Sequence, residues 1–272
     1  MRSALSVPLL LAVGCLAEDD YRDGGRTHHV FRSLGLARPE GGRSPGFDLD
    51  AWTSTKIDQR GCRQPDYVSP EGQPGVDNQF AEILPLIDVA GEGALAAFIQ
   101  NAIDEGRLLI MPELREYGPD LNFRLLRGAD QPLLGTDGRI LENQTLALDP
   151  EGRVFGEYSG ATFDGATLFV GPMDVDFLVV VFEILYQVRL QHTRISITFD
   201  ETGVGRGVLA GAVDTAELRS VAKTAGERAD IDLLGILGTI FEDLADLNQD
   251  PTGVCRALSM VATFETVPVF TY

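Results

Sequence analysis

The chain has 272 residues, 44% of them hydrophobic, and a formal net charge of −19 from 22 Lys and Arg against 41 Asp and Glu. This length supports one large domain or two small ones, each with a sizeable core. Because so acidic a surface repels nucleic acid and anionic headgroups, we expect no nucleic-acid partner; cations and basic partners are electrostatically compatible.

The amino terminus has the form of an export signal. After a positive residue at position 2, residues 4–13 are an apolar run too short to span a bilayer as a stable helix. The following sequence, Leu11-Ala12-Val13-Gly14-Cys15, resembles the lipobox of bacterial lipoproteins. The resemblance implies a signal peptide over residues 1–14 and lipidation of Cys15. Because Leu rather than Asp follows that cysteine, it also implies an outer-membrane lipoprotein, held in the cell envelope by its lipid anchor. Signal cleavage after Ala17 is the alternative and would give a secreted or periplasmic protein.

Residues 15–45 are predicted to be the lipidated cysteine and a flexible tether, because they are polar, rich in glycine and without a sustained period. His28 and His29 lie in this stretch without further ligands nearby, so we expect them to be solvated. A single domain over residues 46–272 follows. Its cysteines, Cys62 and Cys255, form an even pair in an oxidising compartment, which predicts a disulfide between its two ends.

Residues 47–79 are acidic and rich in turns. The runs Phe47-Asp48-Leu49-Asp50 and Gly75-Val76-Asp77-Asn78-Gln79 lie on either side of Cys62 and resemble uncharacterised exported bacterial proteins. No activity is known for those proteins, so the resemblance transfers no functional residues. Apolar residues on one face then predict helices at residues 80–87 and 92–105, the second ended by a glycine.

From residue 107 the pattern is typical of strands. Residues 177–199 are the densest run of β-branched and aromatic residues, with apolar residues at even positions through Leu190 and at odd positions from Ile195. Since alternate strand residues face opposite sides, this change of phase requires a turn or bulge, which we place at residues 191–194. It indicates two long core strands or one strongly bent strand. Further strands are predicted at 107–116, 121–127, 144–148, 161–170, 204–213 and 255–270.

Helices at 215–224 and 230–247 complete the pattern. The longer one is amphipathic with an acidic polar face, which favours packing on a sheet over lying on a membrane. Consecutive strands with short connections pair mostly antiparallel. We therefore predict an α+β fold, in which an antiparallel β-sandwich or strongly curved sheet carries packed helices.

Catalytic signatures are largely absent. His192 is the one histidine outside the predicted tether, and Gly156-Glu157-Tyr158-Ser159-Gly160 has the wrong spacing for a nucleophile elbow. The run Gly203-Val204-Gly205-Arg206-Gly207 lacks the third glycine of a dinucleotide fingerprint and precedes a strand rather than a helix. We therefore predict no catalytic residues and no cofactor other than calcium.

Calcium is the metal that the sequence favours, because hard cations are bound by several loop oxygens. The ligands would come from two acidic stretches that a Cys62–Cys255 bridge would bring together. They are Asp48, Asp50, Asp246, Asn248 and Asp250, and the first stretch also holds Asp66, Glu71, Asp77 and Asn78. The alternative is that Asp246 and Asn248 only end a helix and cap a turn.

Three functions are compatible with these features. The first is a non-enzymatic, lipid-anchored envelope protein that acts as a binding or structural module for a protein, glycan or lipid. The second is a secreted hydrolase with paired carboxylates, for which Glu157, Asp164 and Glu183 are candidates. The third is a carrier in which the sheet and the 230–247 helix enclose an apolar cavity for a hydrophobic ligand.

Overall fold

The computed structural model describes residues 25–90, 95–117, 120–181 and 184–272. Within these residues, the main sheet contains eight long strands and two short ones, and two further short strands, at 67–68 and 74–76, pair separately. The strands are β1 (Arg26–Leu36), β2 (Tyr67–Val68), β3 (Pro74–Val76), β4 (Ile110–Tyr117), β5 (Asp120–Arg127), β6 (Thr145–Leu146), β7 (Val154–Asp164), β8 (Thr167–Val181), β9 (Ile184–Phe199), β10 (Gly205–Asp214), β11 (Leu247–Gln249) and β12 (Cys255–Thr271). The helices are α1 (Leu84–Ala90), preceded by a 3-10 turn (Gln79–Ile83), α2 (Leu95–Asp104), α3 (Thr215–Ala229) and α4 (Leu233–Asp243). The α+β class is confirmed.

The main sheet closes on itself. Its strand order is β1-β4-β5-β7-β8-β9-β10-β12, every neighbouring pair is antiparallel, and β1 also pairs with β12 from His28↔Val269 to Leu36↔Ala262. Closure gives every long strand two neighbours, although the pairing between β7 and β8 covers only three residues of each strand. The antiparallel pairing that the short connections predict is confirmed, and the sheet is strongly curved.

The predicted change of phase is a bulge inside β9. Val188 and Leu190 are buried at even positions, whereas Thr193, Ile195 and Ile197 are buried at odd positions. Between them His192 has a φ of 52°, and the β9–β10 register shifts at the same point. The extra residue turns β9 so that both halves bury their apolar side chains. Of the two predicted alternatives, the strongly bent strand describes Ile184–Phe199, whereas the end of β8 at Val181 divides the run at a point that was not predicted.

The predicted tether is wrong from residue 26 onward, because β1 is an integral strand between β4 and β12. Val30 and Phe31 are buried, and Phe31 stacks on Phe264 with ring centroids 4.2 Å apart. A register shift after Phe31 interrupts the alternation, which is why the sequence pattern shows no period. Residues 1–24, with Cys15 and the predicted signal peptide, lie outside the described residues.

The two histidines of β1 are likewise not solvated. His28 forms a 2.9 Å ion pair with the buried carboxylate of Glu113 on β4. His29 is buried, its Nε2 lies 3.2 Å from the carbonyl oxygen of Gly203, and burial lowers its pKa to about 4. A neutral imidazole can donate a hydrogen bond to that carbonyl oxygen, so the His29 ring has a hydrogen-bond partner inside the domain.

The four helices gather at the end of the sheet where β1, β8 and β10 finish and β12 begins. The predicted 230–247 helix is shorter than expected, because α3 extends to Ala229 and Asp230 then adopts a left-handed φ of 55°. The Asp232 carboxylate accepts a hydrogen bond from the Gly235 N–H and so caps α4. In the part of the chain that the structure describes, no helix is long and apolar enough to cross a membrane.

Candidate functional site

An apolar pocket of about 200 Å³ lies between the helices and the sheet. Among the described residues, the 26 that line it are glycine or have apolar side chains. Met260 and Ala262 of β12 with Leu34 and Leu36 of β1 form the part contributed by the closed sheet. Such a cavity offers no partner to a buried polar group, so only an apolar molecule, or the apolar part of one, is compatible with it.

The tip of the β8–β9 hairpin forms one wall of the pocket. The β7–β8 ladder covers only Thr167–Phe169 of β8, whereas β8 stays paired with β9 up to Val181 and contacts α2. Phe177, Val179 and Val181 of this later part of β8 line the pocket. The apolar run that identified this region as core strands in the sequence therefore also builds a wall of the pocket.

The helices supply the remaining walls and the opening. Phe98 of α2, Ala222 of α3 and Leu237 of α4 line the pocket. Three other lining residues, Leu86, Ile231 and Ile236, are about half exposed. Large apolar side chains that contact both the pocket and solvent mark its mouth, since isolated domains rarely leave such clusters uncovered without a binding role.

One buried polar group lies near the tip of the β8–β9 hairpin. Tyr186 of β9 is the cross-strand partner of Val179, and directly opposed residues of antiparallel strands share a face. The Tyr186 hydroxyl is buried and makes no hydrogen bond to any described residue. The guanidinium carbon of Arg228, in the last turn of α3, lies 5.9 Å from the Tyr186 ring centroid. A buried donor without a partner is costly and therefore informative.

A second cluster of polar groups, the acidic cluster, comprises Asp48, Asp50, Asp66, Asp77 and Asp246. Ligand atoms of Asp48, Asp50 and Asp77 all lie within 4.8 Å of one another. Backbone N–H groups of the loop after Phe47 donate to it: Leu49 N to Asp77 Oδ2 at 2.7 Å and Ser54 N to Asp66 Oδ2 at 2.6 Å. The cluster thus holds this loop against the 3-10 turn.

Burial makes several carboxyl groups of the acidic cluster weaker acids than they are in water. It raises the pKa of Asp77 to about 9, with the Asp246 charge adding to the effect, and the pKa of Asp246 to about 7. Burial also raises the pKa of Asp66 to about 6. Asp246 accepts hydrogen bonds from the N–H and hydroxyl of Ser259, at 2.8 and 2.5 Å. These hydrogen bonds lower the Asp246 pKa and so partly oppose the effect of burial. Several carboxyls this close are protonated or need a cation at neutral pH.

The five residues of the predicted calcium site are only partly brought together. Asp48 and Asp50 meet Asp77, and Asp246 is close enough to raise the Asp77 pKa. Asn248 instead donates to Gln191 Oε1 at 2.8 Å, and Asp250 pairs with Arg256 at 2.7 Å. The Asp250 carboxylate also accepts hydrogen bonds from the backbone N–H groups of Thr252 and Val254, so it stabilises the turn that follows it. These two residues therefore stand apart from the acidic cluster.

The predicted disulfide is confirmed: Cys62 and Cys255 are bonded, with Cα atoms 6.0 Å apart. It fastens the loop that carries part of the acidic cluster to the first residue of β12. Of the proposed hydrolase acids, Glu183 lies outside the described residues. Glu157 and Asp164 lie seven positions apart along β7, roughly 23 Å at strand spacing, too far to flank one glycosidic bond.

His192 occupies the exposed bulge of β9, where its backbone N–H donates to Asp174 at 3.1 Å. Its position is explained by the bend of the strand. Comparison with protein-family models, with curated proteins and with solved structures finds no match to this chain. Its function therefore has to be inferred from the pocket and the acidic cluster themselves.

Proposed function

We propose that this protein is a non-enzymatic binding module that carries a hydrophobic ligand in the apolar pocket. The observation that carries the proposal is a cavity of about 200 Å³ that 26 residues of the described chain line, all of them apolar or glycine. An apolar cavity of about 150 Å³ accommodates one benzene ring, so this one holds a monocyclic group or a short length of alkyl chain. A longer chain would continue through the mouth between Leu86 and Ile236.

Hydrophobic burial supplies the affinity. Each methylene transferred from water into such a pocket contributes about 0.8 kcal/mol, or about fourfold in affinity. The binding of unbranched alcohols should therefore strengthen by about that factor per added carbon until the pocket is full. A ligand that relied on hydrogen bonds would show no such regular increase.

We also propose that the domain acts at the cell envelope as a lipid-anchored protein, as the likeness of residues 11–15 to a lipobox implies. Mass spectrometry of the mature amino terminus tests this part: an acylated Cys15 supports it, and a free amino terminus after Ala17 contradicts it.

The binding proposal is tested with the mature chain and the neutral fluorescent dye 1-N-phenylnaphthylamine, whose phenyl ring matches the size of the pocket while its naphthyl group would occupy the mouth. We expect saturable fluorescence enhancement, displacement of the dye by decanol, and a lipid that is released on solvent extraction of the purified protein. The absence of all three results would contradict a carrier function and would leave the pocket as a packing defect between helices and sheet.

A further inference from the structure

Residues 51–65, which we call the basic loop, carry a local charge opposite to that of the whole chain. They hold Lys56, Arg60 and Arg63 against a single acid, Asp58, although the formal net charge of the chain is −19. All three cationic residues are exposed, and none of them forms an ion pair with a carboxylate of the described residues. Salt screens exposed charges over about 8–10 Å, so a partner that contacts this loop meets a positive surface.

An aliphatic side chain stands at the tip of the basic loop. The Asp58 N–H donates to the Thr55 carbonyl oxygen at 3.0 Å, so Lys56 and Ile57 occupy the two corners of a turn. The Asp58 carboxylate accepts a hydrogen bond from the Thr55 N–H at 2.9 Å and stabilises this turn. Ile57 is 86% exposed, more than any other large hydrophobic side chain of the described residues. Turn corners favour polar residues and glycine, so an isoleucine there points to a partner that buries it.

An aromatic ring lies on the same loop. The guanidinium carbon of Arg60 is 4.7 Å from the ring centroid of Trp52, which brings the two sides of the loop together. Trp52 is 40% exposed and is the single tryptophan of the chain. Tryptophan is enriched where a membrane meets water, and Lys and Arg lay their alkyl stems on apolar material while the charge stays in water. The basic loop therefore combines the residue types of a membrane interface.

The base of the loop is held rigidly. Cys62 is bonded to Cys255, and the Gln64 side chain donates to a backbone carbonyl oxygen at the end of α4 at 2.6 Å. Two members of the acidic cluster, Asp50 and Asp66, flank the loop in the sequence, and burial raises the pKa of both, which reduces the negative charge beside it. The tip is thus presented in one conformation, and binding would cost little ordering of the chain.

We propose that the basic loop docks the domain onto an anionic lipid surface. Ile57 and the Trp52 ring enter the boundary between headgroups and acyl chains, while Lys56, Arg60 and Arg63 contact lipid phosphates. An acidic polysaccharide would match the charges but would leave Ile57 exposed, so the aliphatic tip favours a bilayer. The inference is independent of the carrier function, because none of the described residues that line the apolar pocket belongs to this loop.

Trp52 makes the test specific, because all tryptophan fluorescence of the chain comes from the basic loop. The emission of the mature chain is recorded with vesicles of phosphatidylglycerol and phosphatidylcholine in equal amounts, and with vesicles of phosphatidylcholine alone. We expect the emission maximum to move to shorter wavelength, and quenching by acrylamide to fall, with the anionic vesicles only. The readout belongs to residue 52, so it holds whether or not Cys15 is acylated.

Variants separate the charge from the aliphatic tip. Each cation near an anionic surface contributes about fivefold in affinity, so Lys56→Gln combined with Arg63→Gln should raise the half-saturating lipid concentration about 25-fold. Ile57→Ser should raise it about tenfold. The matched controls, Lys223→Gln and Leu133→Ser, remove an exposed cation and an exposed leucine elsewhere and should change it less than about twofold.

Two results would overturn the proposal. One is the absence of any spectral change with anionic vesicles, or a change that the loop variants leave unaltered. The other is a change with soluble dextran sulfate but none with anionic vesicles, which would assign the basic loop to an acidic polysaccharide instead of a lipid surface.

Discussion

A substitution that fills the pocket with a larger side chain tests whether the pocket is the ligand site. Ala222 on α3 is buried, and its side chain lines the pocket. In Ala222→Phe the new ring would enter a space of about 200 Å³, which is little more than the roughly 150 Å³ that holds one benzene. The ring would therefore take most of the volume available to a ligand.

Two opposing terms set the expected stability of Ala222→Phe. Burying a phenylalanine side chain contributes about 1.5–3 kcal/mol, and the lower helix propensity of phenylalanine costs about 0.5 kcal/mol. Some strain reduces the gain further. We expect the free energy of unfolding to stay unchanged or to rise by as much as about 2 kcal/mol, whereas insertion into a fully packed core would cost about 1–3 kcal/mol.

The assay combines urea unfolding, followed by circular dichroism, with titration of 1-N-phenylnaphthylamine. We expect dye affinity to fall at least about tenfold while stability is retained. Ala216→Phe, at the exposed start of the same helix, is the matched control and should change neither quantity appreciably. A destabilised Ala222→Phe that still binds dye at full affinity would refute the assignment of this cavity as the ligand site.

Four further predictions concern stability. Tyr186→Phe should raise the free energy of unfolding of the ligand-free chain by about 1 kcal/mol in urea, because it removes an unpaired buried hydroxyl; an equal loss would mean that the hydroxyl has a partner in the native fold. The folded-state pKa of Asp77, about 9, exceeds the ordinary value of 3.8, so the folded state binds more protons than the unfolded state between these values. Stability should thus fall as pH rises from about 4 to 9, and Asp77→Asn should flatten that slope; a melting temperature that rises over this range in the parent would contradict it. Three residues of the acidic cluster, Asp48, Asp50 and Asp246, are also predicted calcium ligands, so bound calcium should raise the melting temperature at pH 8. A melting temperature that changes neither on calcium addition nor on chelation would exclude calcium as a ligand. Replacing Cys62 and Cys255 by serine should cost about 4–5 kcal/mol, since the bridge closes a loop of 193 residues; a double variant as stable as the parent would show that the bridge contributes nothing.

The sequence by itself determined the elements with a regular local period. The alternation in residues 177–199 located two core strands and placed the bulge at residues 191–194, because a strand that buries one face must change phase at an inserted residue. The helices at α2 and α3 followed from their apolar faces. The pairing of Cys62 with Cys255 followed from the count of cysteines in an exported chain.

Only the tertiary structure decided that β1 closes the sheet. Its histidines and its register shift hide the alternation, and its apolar residues acquire their role from β4 and β12, which are distant in sequence. The meeting of Asp48, Asp50 and Asp77 with the distant Asp246 likewise depends on how loops pack. A local pattern records neither relationship, because each is a property of two or more segments together.

Of all these features, the apolar pocket depends most strongly on the tertiary structure. Its lining extends from Leu34 to Ala262, and each of these residues, taken alone, is an ordinary core residue. A cavity is volume that neighbouring side chains fail to fill, so it exists only once helices and sheet have taken their relative positions. The candidate ligand site is therefore a property of the tertiary structure rather than of any motif.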